Sequence, residues 1–427
     1  MIPEDVDAQK RIPIGLVTPG MYVMSLDRSW LETPFFFHRK LIKSAEDIEL
    51  LKRNGIREVV IDITRGLDVE SALAVAQTSA VPSRATAKIA ATKKEVKARA
   101  PSAAEIAFRP LVMELDAAQR IHEEALVAAK SIFDGTRGGA PIRCEVTKKI
   151  VGDLLTSISR SPEANLLLMQ MRRFKTDLFS HAVNVCVLSL VVSVLEELEV
   201  DISVFGTGAL LHDIGETRIP RNLLRKKEEF TDSELRLVHQ HPKLGAMLLE
   251  QSEDVPALAR QIVLQHHECI DGSGYPNRVR GKDISFFSQV VAITDAYDDM
   301  LSGRNQPMLQ PNEVLRELFV QSNAGTLDRG LVERVIRCLG VYPVGSLVEL
   351  STGERGIVVA TNRADTLKPT VRIVTSRTGM NQSNGPIISL SDASPGTMER
   401  RIIGALDPGR ERIDPMAYLK LVQGVAG

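Results

Sequence analysis

Five histidines and two aspartates recur through one part of the chain: His181, His212 beside Asp213, His241, His266 beside His267, and then Asp295. Imidazole nitrogens and carboxylates are the donors that divalent cations take when no thiolate is offered. Buried together without a cation they would be costly, because each polar group gives up its water. The two adjacent pairs each close an apolar run, Ala209-Leu210-Leu211 before His212 and Ile262-Val263-Leu264 before His266. Such groups at the ends of apolar helices predict a metal site between facing helices of a bundle. His38, His122 and His239 stand outside the pattern and read as ordinary structural or surface histidines. His239 lies only two residues from His241, so on a helix the two would face different ways.

The elements that must position these residues are helical. Leu111, Leu115, Ala118, Ile121, Ala125 and Ala129 recur at helical spacing, as do Val146, Ile150, Val151, Leu154 and Ile158. Ser161-Pro162-Glu163 supplies a cap with a first-turn proline, and Thr231-Asp232-Ser233-Glu234 a capping box. Residues 105–338 are therefore expected to form an all-α bundle. Residues 1–70 read as a small α+β domain. Its strands would lie at Met21–Met24, Phe35-Phe36-Phe37 and Val59-Val60-Ile61, with a helix capped by Ser44 and stopped at Asn54-Gly55. Residues 71–104, rich in Ala, Ser and Lys, read as a linker. After Gly340 come short strand-like runs at Ser346–Leu350, Gly356–Ala360, Val371–Thr375 and Ile387–Leu390. Residues 339–427 should thus be a small β-rich domain with a less ordered tail, in a multidomain and mainly α chain.

Composition narrows the function classes. Hydrophobic residues are 44% and charged residues 25% of the 427, enough apolar content for a sizeable core. Lys+Arg 53 against Asp+Glu 54 leaves a formal charge of −1, so no global basic field recruits nucleic acid or an anionic membrane. Cys144, Cys186, Cys269 and Cys338 are far apart, which fits a reducing compartment and argues against a thiolate zinc site. The start MIPEDVDAQK has no signal-peptide pattern. The longest apolar run, Ala182–Leu195, is shorter than a membrane span and is interrupted by Asn184, Ser189 and Ser193. A cytoplasmic protein without a membrane span is expected.

LLHDIG at 210–215 followed by HHECIDGSGYP at 266–276 resembles the HD-GYP family of bacterial phosphodiesterases, a branch of the HD hydrolases. The likeness continues through His181-Ala182-Val183-Asn184-Val185, His241-Pro242 and ITDAYDDMLSGR at 293–304, and it covers about residues 140–335. The flanking segments more loosely resemble domains that accompany some members, the N-terminal one being of unknown function. The resemblance implies an HD-type bundle and a two-metal hydrolase that opens cyclic di-GMP to pGpG, or further to GMP. It also implies that His181, His212, Asp213 and Asp295 hold one ion. Asp213 would bridge to a second, held by His241, His266 and His267, with a metal-bridging hydroxide for in-line attack. Iron or manganese suits a donor set without thiolate. Two such ions, two aspartates and the hydroxide leave about +1, which matches a phosphodiester anion. Some members hold a third ion. Asp177, four residues before His181 and on the same helix face, is its candidate ligand, the alternative being a solvated acid beside Arg172-Arg173-Phe174-Lys175. Gly274, Tyr275 and Pro276 would shape the mouth and contact substrate, with Tyr275 either stacking on a guanine or packing its loop.

The chain departs from the family at two cations. Glu216 stands where a lysine is usual, and Pro307 where a second basic residue follows Arg304. Glu216 could repel the phosphodiester, pair with Arg218 or become a ligand, so Asp213, Arg304 and Glu216 are the catalytic candidates. Arg218, Arg221, Arg225, Arg278 and Arg280 are available to compensate. The leading expectation is an active phosphodiesterase. Its alternatives are a weak or inactive metal-binding module that signals to a protein partner through the N-terminal domain, and a hydrolase of another phosphorylated nucleotide. The helical stretch 105–133 reads as an ordinary core helix, the alternatives being that it caps the HD core or pairs in a homodimer.

Overall fold

The computed structural model describes residues 9–26, 40–42, 48–49, 51–52, 56–63, 103–171, 177–226, 228–252, 254–304, 307–392 and 399–420. The strand expected at Phe35–Phe37, His38, the cap at Ser44, the stop at Asn54-Gly55, the linker over 71–102 and the basic stretch Arg172–Lys175 lie outside these residues. The chain divides into two compact units, Met1–Lys97 and Ala98–Gly427.

The first unit is built on four strands, β1 (Gln9–Pro13), β2 (Tyr22–Leu26), β3 (Lys40–Leu41) and β4 (Glu58–Asp62). They form an antiparallel sheet in the order β1-β4-β2-β3, with Ile12 opposite Val59 and Val23 opposite Ile61. Met21, Val23, Ile42, Val59 and Ile61 are its core. The edge strands β1 and β3 carry weak apolar alternation, which is why the sequence alone points only to the inner pair.

The second unit opens with α1 (Ala103–Arg137), α2 (Cys144–Arg160), α3 (Pro162–Met171), α4 (Leu178–Leu195) and α5 (Ile202–Leu211). A 3-10 turn at Ile214–Arg218 follows. Then come α6 (Arg221–Leu224), α7 (Asp232–Val238), α8 (His241–Glu250), α9 (Ala257–Gln265), α10 (Phe286–Ser302), α11 (Pro311–Ala324) and α12 (Arg329–Leu339). Ser161 caps α3 through Ala164, and Thr231 with Glu234 forms a complete capping box on α7. α4 extends four residues beyond the apolar run seen in sequence. Over its full length it is apolar enough to cross a membrane by composition, yet 78% of it is buried among its neighbours. It is apolar all round because it is the central helix of the bundle.

The last part is a five-stranded antiparallel sheet of β5 (Leu347–Leu350), β6 (Arg355–Ala360), β7 (Thr370–Thr375), β8 (Ile387–Ser389) and β9 (Ile402–Leu406), in the order β8-β7-β6-β5-β9. One face, with Leu347, Ile357, Val359 and Val374, packs on Phe108, Leu111 and Leu115 of α1 and on Leu167 and Leu168 of α3. Val348, Val358, Val371 and Ile373 fill a smaller core on the other face. The tail expected to be less ordered instead supplies β9, α13 (Pro408–Glu411) and α14 (Pro415–Lys420). Ile413, Met416 and Leu419 tie it down by joining the core shared with α1 and α3.

Candidate metal centre

Three histidines of the cluster stand where a helix begins or ends. His212 closes α5, His266 closes α9, and His241 opens α8 just after α7. Terminal carbonyls lack an intrahelical partner. The three rings use this alike: His212 Nδ1 donates to Ala209 O at 2.8 Å, His241 Nδ1 to Val238 O at 2.9 Å, and His266 Nδ1 to Val263 O at 2.8 Å. A proton committed at Nδ1 leaves Nε2 as a lone pair, so all three Nε2 atoms are offered inward as ligands. His181, inside α4, does the same through a carboxylate. Its Nδ1 lies 2.8 Å from Asp298 Oδ2, and Asn184 donates to the other oxygen of Asp298 at 3.0 Å.

These lone pairs converge on Asp213, which divides them. Its Oδ1 lies 3.2 Å from His241 Nε2 and 3.5 Å from His266 Nε2. Its Oδ2 lies 3.7 Å from His181 Nε2 and 3.6 Å from His212 Nε2. Asp295 Oδ1 joins the second pair, 2.9 Å from His181 Nε2 and 3.7 Å from His212 Nε2. Asp295 Oδ2 is 3.8 Å from His267 Nδ1. Within each pair the Nε2 atoms approach to 3.2 Å. Two neutral acceptors that close repel unless a proton or a cation lies between them. The donor set fits divalent cations on that ground. Asp213 with His241, His266 and His267, and Asp213 with His181 and His212, each bring one ligand atom within 4.8 Å of the others.

The field follows from burial and neighbours. Burial and the Arg304 cation oppose charge on His181, but its hydrogen bonds to Asp295 and Asp298 hold its pKa well above the ordinary histidine value. Burial and then the adjacent His266 hold His267 well below that value. Burial favours the neutral form of Asp213 and Asp295, but the surrounding imidazoles outweigh it and keep both well below the carboxylate range.

Not every candidate joins the cluster. Asp177 is in none of the ligand groups found among the described residues. It is the N-cap of α4, its oxygens accepting from Ser180 N and Ser180 Oγ, both at 2.9 Å. Arg304 lies against the cluster, Nη1 donating to Asp213 Oδ2 and Nη2 to Glu216 Oε2, each at 2.8 Å. Glu216 therefore pairs with Arg304, not with the exposed Arg218. Burial pushes its carboxyl up while Arg304 pulls it down. Pro307 is exposed. Asp299, 3.7 Å from both His181 Nδ1 and Arg304 Nη1, completes a ligand group with His181 and Asp295. Asp298 and Asp299 were missed in sequence, although the acidic pair in ITDAYDDMLSGR lies one turn beyond Asp295 on one face of α10. Together with Glu216 and Arg304 they would move the formal balance of the expected two-ion centre from about +1 to about −1.

The loop at 271–276 folds back on the histidines. A side chain at Gly274 would meet Cys269 N at 2.3 Å and His267 O at 2.5 Å, so only glycine fits there. The buried Glu268 anchors the far side, accepting from Asn277 N at 2.7 Å and Val279 N at 2.9 Å. Tyr275 stacks on His239 with centroids 3.8 Å apart and planes at 7°, and contacts His267 at 4.7 Å and 30°. His239, set aside in sequence, is thus part of the site wall. Pro276 follows Tyr275 through a cis peptide bond.

The chain matches three family profiles: a domain of unknown function over residues 9–147, an HD domain over 175–330, and a KOW domain associated with HD domain over 347–396. It is 32% identical over 369 residues to a cyclic di-GMP phosphodiesterase of Pseudomonas aeruginosa, covering 85% of this chain and 84% of that one. A cyclic di-GMP phosphodiesterase of Thermotoga maritima is 35% identical over 131 residues, 30% of this chain and 35% of its own. A 3′3′-cGAMP-specific phosphodiesterase of Vibrio cholerae is 32% identical over 127 residues, 30% of this chain and 24% of its own. Among solved structures, an HDG"Y"P protein from Bdellovibrio bacteriovorus is 18% identical, covers 77% of this chain and 98% of its own, and superposes with a TM-score of 0.44.

Proposed function

The chain belongs to the HD-GYP family of HD-domain phosphodiesterases, and from that membership we propose that it hydrolyses cyclic di-GMP to linear pGpG, or further to GMP. The observation that carries the site assignment is the division at Asp213. One oxygen faces His241 and His266, the other His181 and His212, as a carboxylate shared between two ions would. His267 would complete the first ion's ligands and Asp295 the second's. Imidazole and carboxylate without thiolate suit iron or manganese, and the four free cysteines suit a reducing cytoplasmic setting.

When bound, two divalent ions would polarise the phosphodiester and activate water for in-line displacement. The residues supply what surrounds that chemistry. The Nδ1 hydrogen bonds hold each imidazole in its ligand tautomer. Tyr275, braced by His239, sets the plane of His267, and Glu268 holds the loop that carries Tyr275. Arg304 places a cation at the edge of Asp213, where a phosphoryl oxygen would arrive. The pairing of Arg304 with Glu216 favours one second reading, a slow or inactive module that binds metal and nucleotide.

Anaerobically purified, manganese- or iron-loaded protein would be incubated with cyclic di-GMP and the products separated by chromatography. A His212→Ala/Asp213→Ala variant serves as blank, and metal content is measured on the same sample. pGpG or GMP that disappears in the variant is the expected result. No product with two ions bound per chain would overturn the phosphodiesterase reading, and a nucleotide-binding measurement would then test the second one.

A further inference from the structure

Cyclic di-GMP carries two phosphodiester anions, and a single hydrolytic centre engages one at a time. The described centre is rich in carboxylates, and its one arginine is committed to Asp213 and Glu216. A second anion needs positive charge elsewhere, within reach of the first.

Such charge collects at the end of α1. Arg137 lies in the last turn of that helix, which packs against the 3-10 turn carrying Glu216. Arg221 begins α6 and Arg225 follows its last residue. Asp134 lies beside Arg137 and Arg221, but its Oδ2 already accepts from Lys130 at 2.7 Å. Arg137 Nη1 and Arg221 Nη2 stand 4.0 Å and 3.8 Å from its Oδ1, too far for a hydrogen bond. Arg137 Nε is buried and has no hydrogen-bond partner. An N–H kept from both water and an acceptor is costly unless something arrives to accept from it. Burial and then the like charge of Arg221 pull the pKa of Arg137 below the ordinary arginine value. Arg225 acts the same way, while Asp134 and Glu216 oppose them. The guanidinium therefore has a buried donor without an acceptor and two like-charged neighbours, and it lies within electrostatic reach of Glu216 beside the metal centre.

We propose that Arg137, Arg221 and Arg225 form an anion subsite beside the metal centre that receives the second phosphodiester of a cyclic dinucleotide. The inference rests on the phosphodiesterase reading. It adds that recognition of the non-reacting phosphate comes from the end of α1 and from α6. Guanidinium groups match the paired oxygens of a phosphodiester, and three of them would hold it without entering the reaction.

The test compares metal-loaded wild type with Arg137→Gln and with Arg137→Gln/Arg221→Gln. The substrates are cyclic di-GMP and bis(p-nitrophenyl) phosphate, which has one phosphodiester and no second anion. The expected result is a KM for cyclic di-GMP raised about tenfold or more, with kcat, metal content and cleavage of the one-phosphate substrate unchanged. An unchanged KM in the double variant would overturn the subsite. So would equal losses on both substrates, which would mark these arginines as supports of the fold or the centre. If wild type cleaves the one-phosphate substrate but not cyclic di-GMP, the assigned reaction fails and binding isotherms judge the subsite alone. Weaker binding of cyclic di-GMP by the double variant would then support it, and equal binding would overturn it.

Discussion

At the scale of single residues, the site depends on groups that never face the ligand space. Asp298 holds His181 in its tautomer and also receives Asn184, so Asp298→Ala leaves two buried donors without an acceptor. Partners of this kind tune ligand basicity and orientation. Metal affinity is expected to fall about tenfold to a hundredfold, measured by competition with a chromogenic chelator. Glu216 has the opposite character. Glu216→Gln removes a negative charge beside the phosphate position and frees one side of Arg304. The KM for cyclic di-GMP should then fall about fivefold, since like charge near an anion site costs about 1 kcal/mol. A loss of bound metal in that variant would instead make Glu216 a ligand. His212, Asp213, His266 and His267 were legible in sequence because adjacent polar pairs ended apolar runs. Asp298 was not, because an acid on a helix looks the same whether it meets solvent or a histidine from another helix.

At the scale of elements, the histidines are placed by close approach between segments. A Cβ at Gly215 would meet His241 O at 1.9 Å and Gly245 N at 2.6 Å, both backbone atoms that cannot swing away. Gly215→Ala must therefore push α8 off the 3-10 turn and carry His241 with it. A loss of about 3 kcal/mol in stability is expected, together with loss of metal from the pair containing His241 and His266. Denaturant unfolding and metal analysis of one preparation would check both. Capping and periodicity revealed the inner helices and most strands. The edge strands β1, β3 and β9 escaped because their identity lies in a partner's hydrogen bonds and only weakly in their own alternation.

At the scale of the molecule, the C-terminal sheet is a wall of the helical unit. Phe108, Leu111, Leu115, Leu167 and Leu168 would lose their cover if the chain ended at Leu339. Each such side chain brought to water costs about 2 kcal/mol. A 1–339 truncation is thus expected to unfold at much lower urea or to aggregate, whereas a merely tethered sheet would leave the midpoint of the helical unit unchanged. Light scattering and a urea curve followed by helical circular dichroism would tell these apart.

The sequence by itself pointed to the cluster of histidines and aspartates, the helical frame and the two places where charge departs from the family, because residue type, spacing and 3.6-residue periodicity are local properties. Only the tertiary structure decided that Asp213 turns one oxygen to each histidine pair and that Glu216 takes Arg304. It also decided that Arg137 comes beside Arg221 of α6, both against Asp134, and that Ile413, Met416 and Leu419 join the core shared with α1 and α3. Each of these is a meeting between residues far apart in the chain. Distance in space, which sets Coulomb energy, desolvation and packing alike, is the quantity a linear pattern does not contain.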